Sequence, residues 1–378
     1  MPAGAPGQYP DPIQPQIDLN DVLAQQTMPI GSATVTWANA ANSAPSVPQT
    51  RFTLPDVGLA SAIYLEFDGG SATAYDLTIG AGAAAAVDEG PFSIVDGYSL
   101  VVNGGTGFYE VSGFGAKLLN DLESDFYSSS AEPGPAFNTA PTAIASRLFN
   151  YPVAADGRPR FGVIIPLSVS YENPLGMILV QNPTTTVDLV IRWASLSGYA
   201  TLTAGAVAAL SLTVTATLEY YEMPPRPVFD ALVRPELRWA HQFIETRQAI
   251  NGVGRDANTV SLDVHDTYLR IAHLVKVNNL LDTDDIDGVR FTLNRTIHKY
   301  DHSWATHARR QRRFYGKDVP AVIWDQFATR TMRDAIHADG YTDLGSKIDL
   351  SSATVLGAAG TNFIRTITEK LVDLDSVA

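Results

Sequence analysis

The chain has no cysteine among its 378 residues. That excludes a disulfide-stapled scaffold, thiolate metal sites and a cysteine nucleophile. Charge is scarce, at 17%, and its basic part is nearly missing from the first half. Residues 1–225 carry 6 Lys and Arg against 20 Asp and Glu, with no histidine; residues 226–378 carry 20 of each and all seven histidines. The net charge of −14 works against general nucleic-acid binding, because phosphate recognition needs a positive field. The N-terminus, MPAGAPGQYPDPIQPQIDLND, has neither a basic n-region nor an apolar h-region. It does not read as a signal peptide but as an extended Pro/Gln-rich arm. Enzyme motifs are missing too: there is no Gly-x-Ser-x-Gly, no phosphate loop ending in Gly-Lys-Ser/Thr, and no His-Glu-x-x-His. The expectation is a non-enzymatic protein with no cofactor.

What is present is apolar and heavily punctuated. Hydrophobic residues make up 45% of the chain, enough for sizeable cores, and 29 Gly with 23 Pro demand many turns. Period-two strand patterns recur at Ala33–Trp37, Ser61–Phe67, Tyr98–Val102, Arg160–Leu167, Leu175–Gln181, Val187–Trp193 and Ser211–Tyr220. Gly104-Gly105-Thr106-Gly107 after the third of these reads as a hairpin turn. Trp193–Leu218 is free of charge for 26 residues, long enough to span a membrane as a helix. Its end, Ser211-Leu212-Thr213-Val214-Thr215-Ala216-Thr217-Leu218, alternates strictly, which predicts a strand. Phe114, Leu118, Leu122 and Phe126 fall on one stripe and predict a helix.

The second part repeats the first loosely. Tyr64-Leu65-Glu66-Phe67 aligns with Leu274-Val275-Lys276-Val277. Arg51–Pro55 has a counterpart in Thr259–Asp263, and the closing strand Ser211–Tyr220 has one in Phe363–Thr368. Together with the charge break near Pro224-Pro225-Arg226-Pro227, this predicts tandem domains of one kind. The expected divisions are an arm at 1–28, a first domain at 29–224 and a second at 251–378. Residues 225–250 form a linker or the first strand of the second domain; Pro235–Ile250 fits either a helix or a strand.

The segment Ile165–Trp193, IPLSVSYENPLGMILVQNPTTTVDLVIRW, resembles the later strands of the first jelly roll in double jelly-roll major capsid proteins of tailless, membrane-containing icosahedral phages, of the tectivirus and corticovirus kind. The resemblance implies an all-β fold of two tandem eight-stranded jelly rolls, with a few short helices and an extended N-terminal arm. It also implies a homotrimer in which six rolls make a pseudo-hexagonal tile of a virion shell. Further implied partners are penton and minor capsid proteins and an internal lipid membrane, with no specific nucleic acid. A carbohydrate-binding or host-attachment β-sandwich is the alternative.

Two clusters carry local chemistry. His298 and His302, with His307 five residues further on, have zinc-like spacing on a helix as a pair, but on a strand His298 and His302 would stand about 13 Å apart, too far to share one ion. Phe291–Ile297, just before them, alternates like a strand, so a polar strip is expected rather than a metal site. Arg309, Arg310, Arg312, Arg313 and Lys317 form a basic segment beside Phe314 and Tyr315. It is the candidate inter-subunit or membrane-facing element, with the acidic run Asp282, Asp284, Asp285 and Asp287 as one possible partner.

Overall fold

The computed structural model describes residues 25–38, 43–69, 84–86, 89, 92–105, 107–123, 160–169, 175–181, 184–198, 200–202, 210–223, 239–264, 266–277, 285–294, 297–315, 322–327, 335–338, 341–351 and 362–373. It divides into two compact units that meet in sequence between residues 241 and 242.

The first unit runs β1 (Gln25–Trp37), β2 (Gln49–Thr53), β3 (Leu59–Asp68), β4 (Ala84–Ala86), β5 (Val95–Val102), β6 (Gly107–Val111), α1 (Gly113–Glu123), β7 (Arg160–Pro166), β8 (Ile178–Leu179), β9 (Val187–Trp193), β10 (Ala200–Leu202) and β11 (Leu210–Tyr221). One sheet has the order β1-β11-β3-β7, the facing one β6-β5-β9-β2. The long β1 and β11 form because every second residue is apolar. Leu210, Leu212, Val214, Ala216 and Leu218 are buried. Their hydroxyl-bearing neighbours face out and bond across the pair, as in Thr34 with Thr213 at 2.9 Å. Trp37, Phe67, Phe161 and Trp193 fill the core, Phe67 stacking on Phe161 at 4.4 Å. Gly58 sets the approach of β3 to β11: its φ is +39°, and a Cβ there would sit 2.0 Å from the Tyr221 carbonyl oxygen.

The second unit runs β12 (Trp239–Ala249), β13 (Gly254–Leu262), β14 (Thr267–Lys276), β15 (Ile286–Leu293), β16 (Ile297–Ser303), α2 (Trp304–Tyr315), β17 (Val322–Gln326), β18 (Ile336–His337), β19 (Leu344–Leu350) and β20 (Phe363–Asp373). Its sheets have the orders β12-β20-β14-β17 and β16-β15-β19-β13. Setting aside the short β4, β8, β10 and β18, both units share one strand order, 1-8-3-6 against 5-4-7-2, the order of a jelly roll. β3 and β14 occupy the same position, as do β2 with β13 and β11 with β20, so each expected sequence repeat falls on equivalent strands. The two helices also correspond: each joins the fifth strand of its roll to the sixth.

Several expectations are corrected. Leu175–Gln181 contains only the two-residue strand Ile178–Leu179. Pro235–Ile250, which fitted either a helix or a strand, contains the strand Trp239–Ala249. Phe291–Ile297 is not one strand: the chain turns at Asn294, whose φ is +54°, and β15 pairs back on β16. β1 begins at Gln25, within the stretch read as arm; residues 1–24 lie outside those described. The stripe of Phe114, Leu118 and Leu122 is helical and buried as expected, while Phe126 lies outside the described residues. The uncharged stretch ends in the strand β11, as its alternation predicted. Asn103-Gly104 makes the expected hairpin turn with φ of +51° and +68°.

Candidate functional site

The basic segment lies on a helix, α2. Ser303 caps α2, its Oγ accepting the Thr306 amide at 3.4 Å. Arg312 and Arg313 occupy the last turn, where cations complement the helix dipole. The helix has two unlike faces. His307 and Gln311, four residues apart, are buried. Arg309, Arg312 and Arg313 are exposed, and their spacing of three and four places them on one face. Lys317 lies outside the described residues, as do the side chains of Phe314 and Tyr315.

Arg310 is separated from the other three. It reaches inward to Asp325 on β17, donating from Nη1 to Oδ1 at 3.1 Å, and its guanidinium lies 4.9 Å from the Tyr300 ring centroid. The Tyr300 hydroxyl donates to the other oxygen of Asp325. Asp325 is fully buried, and a buried carboxylate is tolerable only when paired and hydrogen-bonded in this way. The sequence offered the run Asp282, Asp284, Asp285 and Asp287 as a partner; Asp282 and Asp284 lie outside the described residues, and the carboxylate seen on Arg310 is Asp325. Sequence reasoning missed Asp325, though the signal was there: a lone acid in the apolar run Val322-Ile323-Trp324-Asp325.

Two histidines flank this pair. His302 stacks on Tyr300 at 5.2 Å, and His307 packs against Tyr300 at 5.5 Å and Trp304 at 6.1 Å. His298 and His302 share the strand β16, so the extended spacing applies to them. Among the described residues, no three His, Asp or Glu side chains converge as a metal site requires. Burial holds His307 below its ordinary pKa; Asp325 opposes that shift, while Arg310 and His302 add to it. Deeper in the core, His273 bridges the sheets, bonding the Thr366 and Ser346 hydroxyls at 2.8 Å each. Burial pushes its pKa down to about 4, so the ring is neutral at pH 7.

A second charge cluster ties one sheet of this roll together. Arg290 on β15 is buried and meets Asp256, Asp301 at 3.2 Å and Asp349 at 3.0 Å. Lys347 joins Asp256 at 3.3 Å and Arg255 joins Asp301 at 3.2 Å. The cluster balances three cations against three carboxylates across β13, β15, β16 and β19. With every carboxylate engaged by a cation, it works as cross-strand stitching rather than as a reactive centre.

No family model matches the sequence, and no curated protein does. Solved structures do. The STIV MCP is 14% identical with a TM-score of 0.60, covering 94% of this chain and 99% of that one. A chain from the atomic structure of Sulfolobus Turreted Icosahedral Virus is also 14% identical, at a TM-score of 0.61 and coverage of 92% and 91%. A chain of the PBCV-1 virus capsid is 13% identical with a TM-score of 0.56, covering 92% and 94%. These likenesses span both units, and the fold they share with this chain is a double jelly roll.

Proposed function

We propose that this chain is a viral structural protein, the major capsid subunit of an icosahedral shell, and that it catalyses nothing. The observation that carries the reading is one strand order used twice in a single chain, matched along nearly its whole length by capsid proteins. A jelly roll leaves sheet edges and sandwich flanks open; repeating it in tandem and grouping chains covers them. Three chains supply six rolls, a pseudo-hexagonal tile that can fill a lattice. Penton and minor capsid proteins complete such a lattice at its fivefold corners, and its inner side stands over a lipid membrane.

In this reading the exposed arginines of α2 join copies. Arg309, Arg312 and Arg313 present one cationic face, and residues 1–225 of a neighbouring copy offer 20 acids against 6 bases. Complementary charge of this kind steers encounter and fixes register more than it adds affinity. Arg310 belongs to the interior through Asp325 and is not part of that face.

Sedimentation of the purified protein at micromolar concentration tests the assembly. Three chain masses, and shells or sheets by electron microscopy, are expected; a monomer that persists without forming lattices defeats the proposal. The triple variant Arg309→Gln, Arg312→Gln, Arg313→Gln tests the contact. Weaker association of copies supports the face as an interface. Unchanged association with lost binding to anionic vesicles assigns it to the membrane instead.

A further inference from the structure

The two helices carry a shared device that the repeat in sequence does not advertise. In the first roll β7 is an edge strand, paired among the described residues only with β3. The backbone of Ile164 points away from β3, and Asn120 of α1 occupies both of its groups. The Asn120 Oδ1 accepts the Ile164 amide at 2.8 Å, and its Nδ2 donates to the Ile164 carbonyl at 2.8 Å. A carboxamide is a side-chain copy of a peptide group, so Asn120 satisfies Ile164 as one residue of an added strand would. In the second roll β17 is likewise an edge strand. There Gln311 of α2 donates from Nε2 to the Val322 carbonyl at 3.1 Å and the Trp324 carbonyl at 3.4 Å. Asn120 is the eighth residue of α1 and Gln311 the eighth of α2. The same helix position thus puts a carboxamide on the same edge in both rolls.

The edge of β7 needs covering. Its sequence Arg-Phe-Gly-Val-Ile-Ile-Pro alternates, is β-prone and low in charge, the composition that pairs edge to edge between chains. Ile164 is 41% exposed there, one of three large apolar side chains so placed among the described residues. Two further features fit the same purpose. By the period of two, Gly162 and Pro166 turn their backbones the same way as Ile164; Pro166 has no amide to offer, and Gly162 gives a partner no side chain to pack on.

We propose that α1 and α2 are edge guards. Each docks a carboxamide on the sixth strand of its roll so that a second copy of the chain cannot extend the sheet there, and copies associate through other surfaces. Hydrogen exchange and sedimentation on the full chain test this with three variants. Asn120→Ala frees the Ile164 amide, which should exchange at least tenfold faster, and the protein should form concentration-dependent assemblies beyond the wild-type species. Adding Ile164→Lys places a charge on the bare edge and should return the protein to the wild-type size distribution, whereas it would not repair a fault in helix packing. Unchanged exchange at Ile164 in Asn120→Ala, an unchanged size distribution, or a double variant that still over-associates would each overturn the proposal. In the second roll, Gln311→Leu uncovers the Val322 and Trp324 carbonyls and should likewise give assemblies beyond the wild-type species; a size distribution identical to wild type would refute the guard there.

Discussion

Acid should loosen the second roll through His273, and the size of the effect follows from its surroundings. The ring is fully buried between Thr366 and Ser346, and burial takes its pKa from 6.5 down to about 4. In the unfolded chain the same ring binds a proton below 6.5. Between those values the unfolded state holds more protons than the folded one, so stability falls as pH drops through that window and is intact above it. From about pH 7 to about pH 5 the loss is about 2 kcal/mol, approaching ~3 kcal/mol below about pH 4. The perturbation is His273→Gln, which keeps a donor and an acceptor between the hydroxyls but does not titrate. Urea unfolding at the two pH values, followed by hydrogen exchange of β14 amides, isolates this roll. His307 is present in both proteins, so its contribution cancels in the comparison. The wild type should lose about 2 kcal/mol more than the variant on acidification. Equal losses in the two proteins would show that His273 does not titrate as its burial requires.

Asp325→Ala strands Arg310 and Tyr300 and should cost about 3–5 kcal/mol, seen as a lower urea midpoint; a cost below ~1 kcal/mol would mean the pair is solvated. Arg290→Met removes the cation from among Asp256, Asp301 and Asp349 and should lower the melting temperature by several degrees, about 2–4 °C per kcal/mol. Burial pushes the Asp256 carboxyl up, but its bonds to Arg290 and Lys347 outweigh that and hold it below the usual carboxylate range. Its contribution is therefore present above about pH 4 and lost as pH falls through the lowered value, a dependence that Arg290→Met should weaken in an acid titration of stability. Gly58→Ala forces a Cβ onto the Tyr221 carbonyl at a φ of +39° and should cost at least ~1–3 kcal/mol, where a neutral result would show that β3 and β11 can part without penalty.

The strands were legible because burial on one face leaves a period of two. Val187–Trp193 was readable to the residue, and β11 nearly so, since Leu210 to Leu218 buries every other side chain. α2 was not legible as a helix. Its inner face is His307 and Gln311, so it offers no apolar stripe. α1 was found because Phe114, Leu118 and Leu122 do make that stripe. The charge clusters stayed hidden for another reason: Arg290 meets Asp256, Asp301 and Asp349 only after four strands are laid side by side. The segment Arg309–Lys317 was singled out by density of charge alone, and density does not say that Arg310 turns inward while its neighbours face water.

In each roll the first strand lies beside the last, and that ordering governs how the protein can be made. Gln25 pairs with Tyr221, so β1 waits for nearly two hundred residues of synthesis before its partner exists. β3 waits for the same strand, Leu59 pairing with Tyr221, since β11 sits between the two. At about 5–20 residues per second, a ribosome leaves these strands half-paired for tens of seconds. The second roll closes on β20, so it completes only once the chain has emerged as far as Asp373. Contacts this distant along the sequence also fold slowly once available. Each nascent chain therefore passes through a long interval with apolar strands unpaired, and its yield in a cell depends on holding those strands apart until their partners arrive.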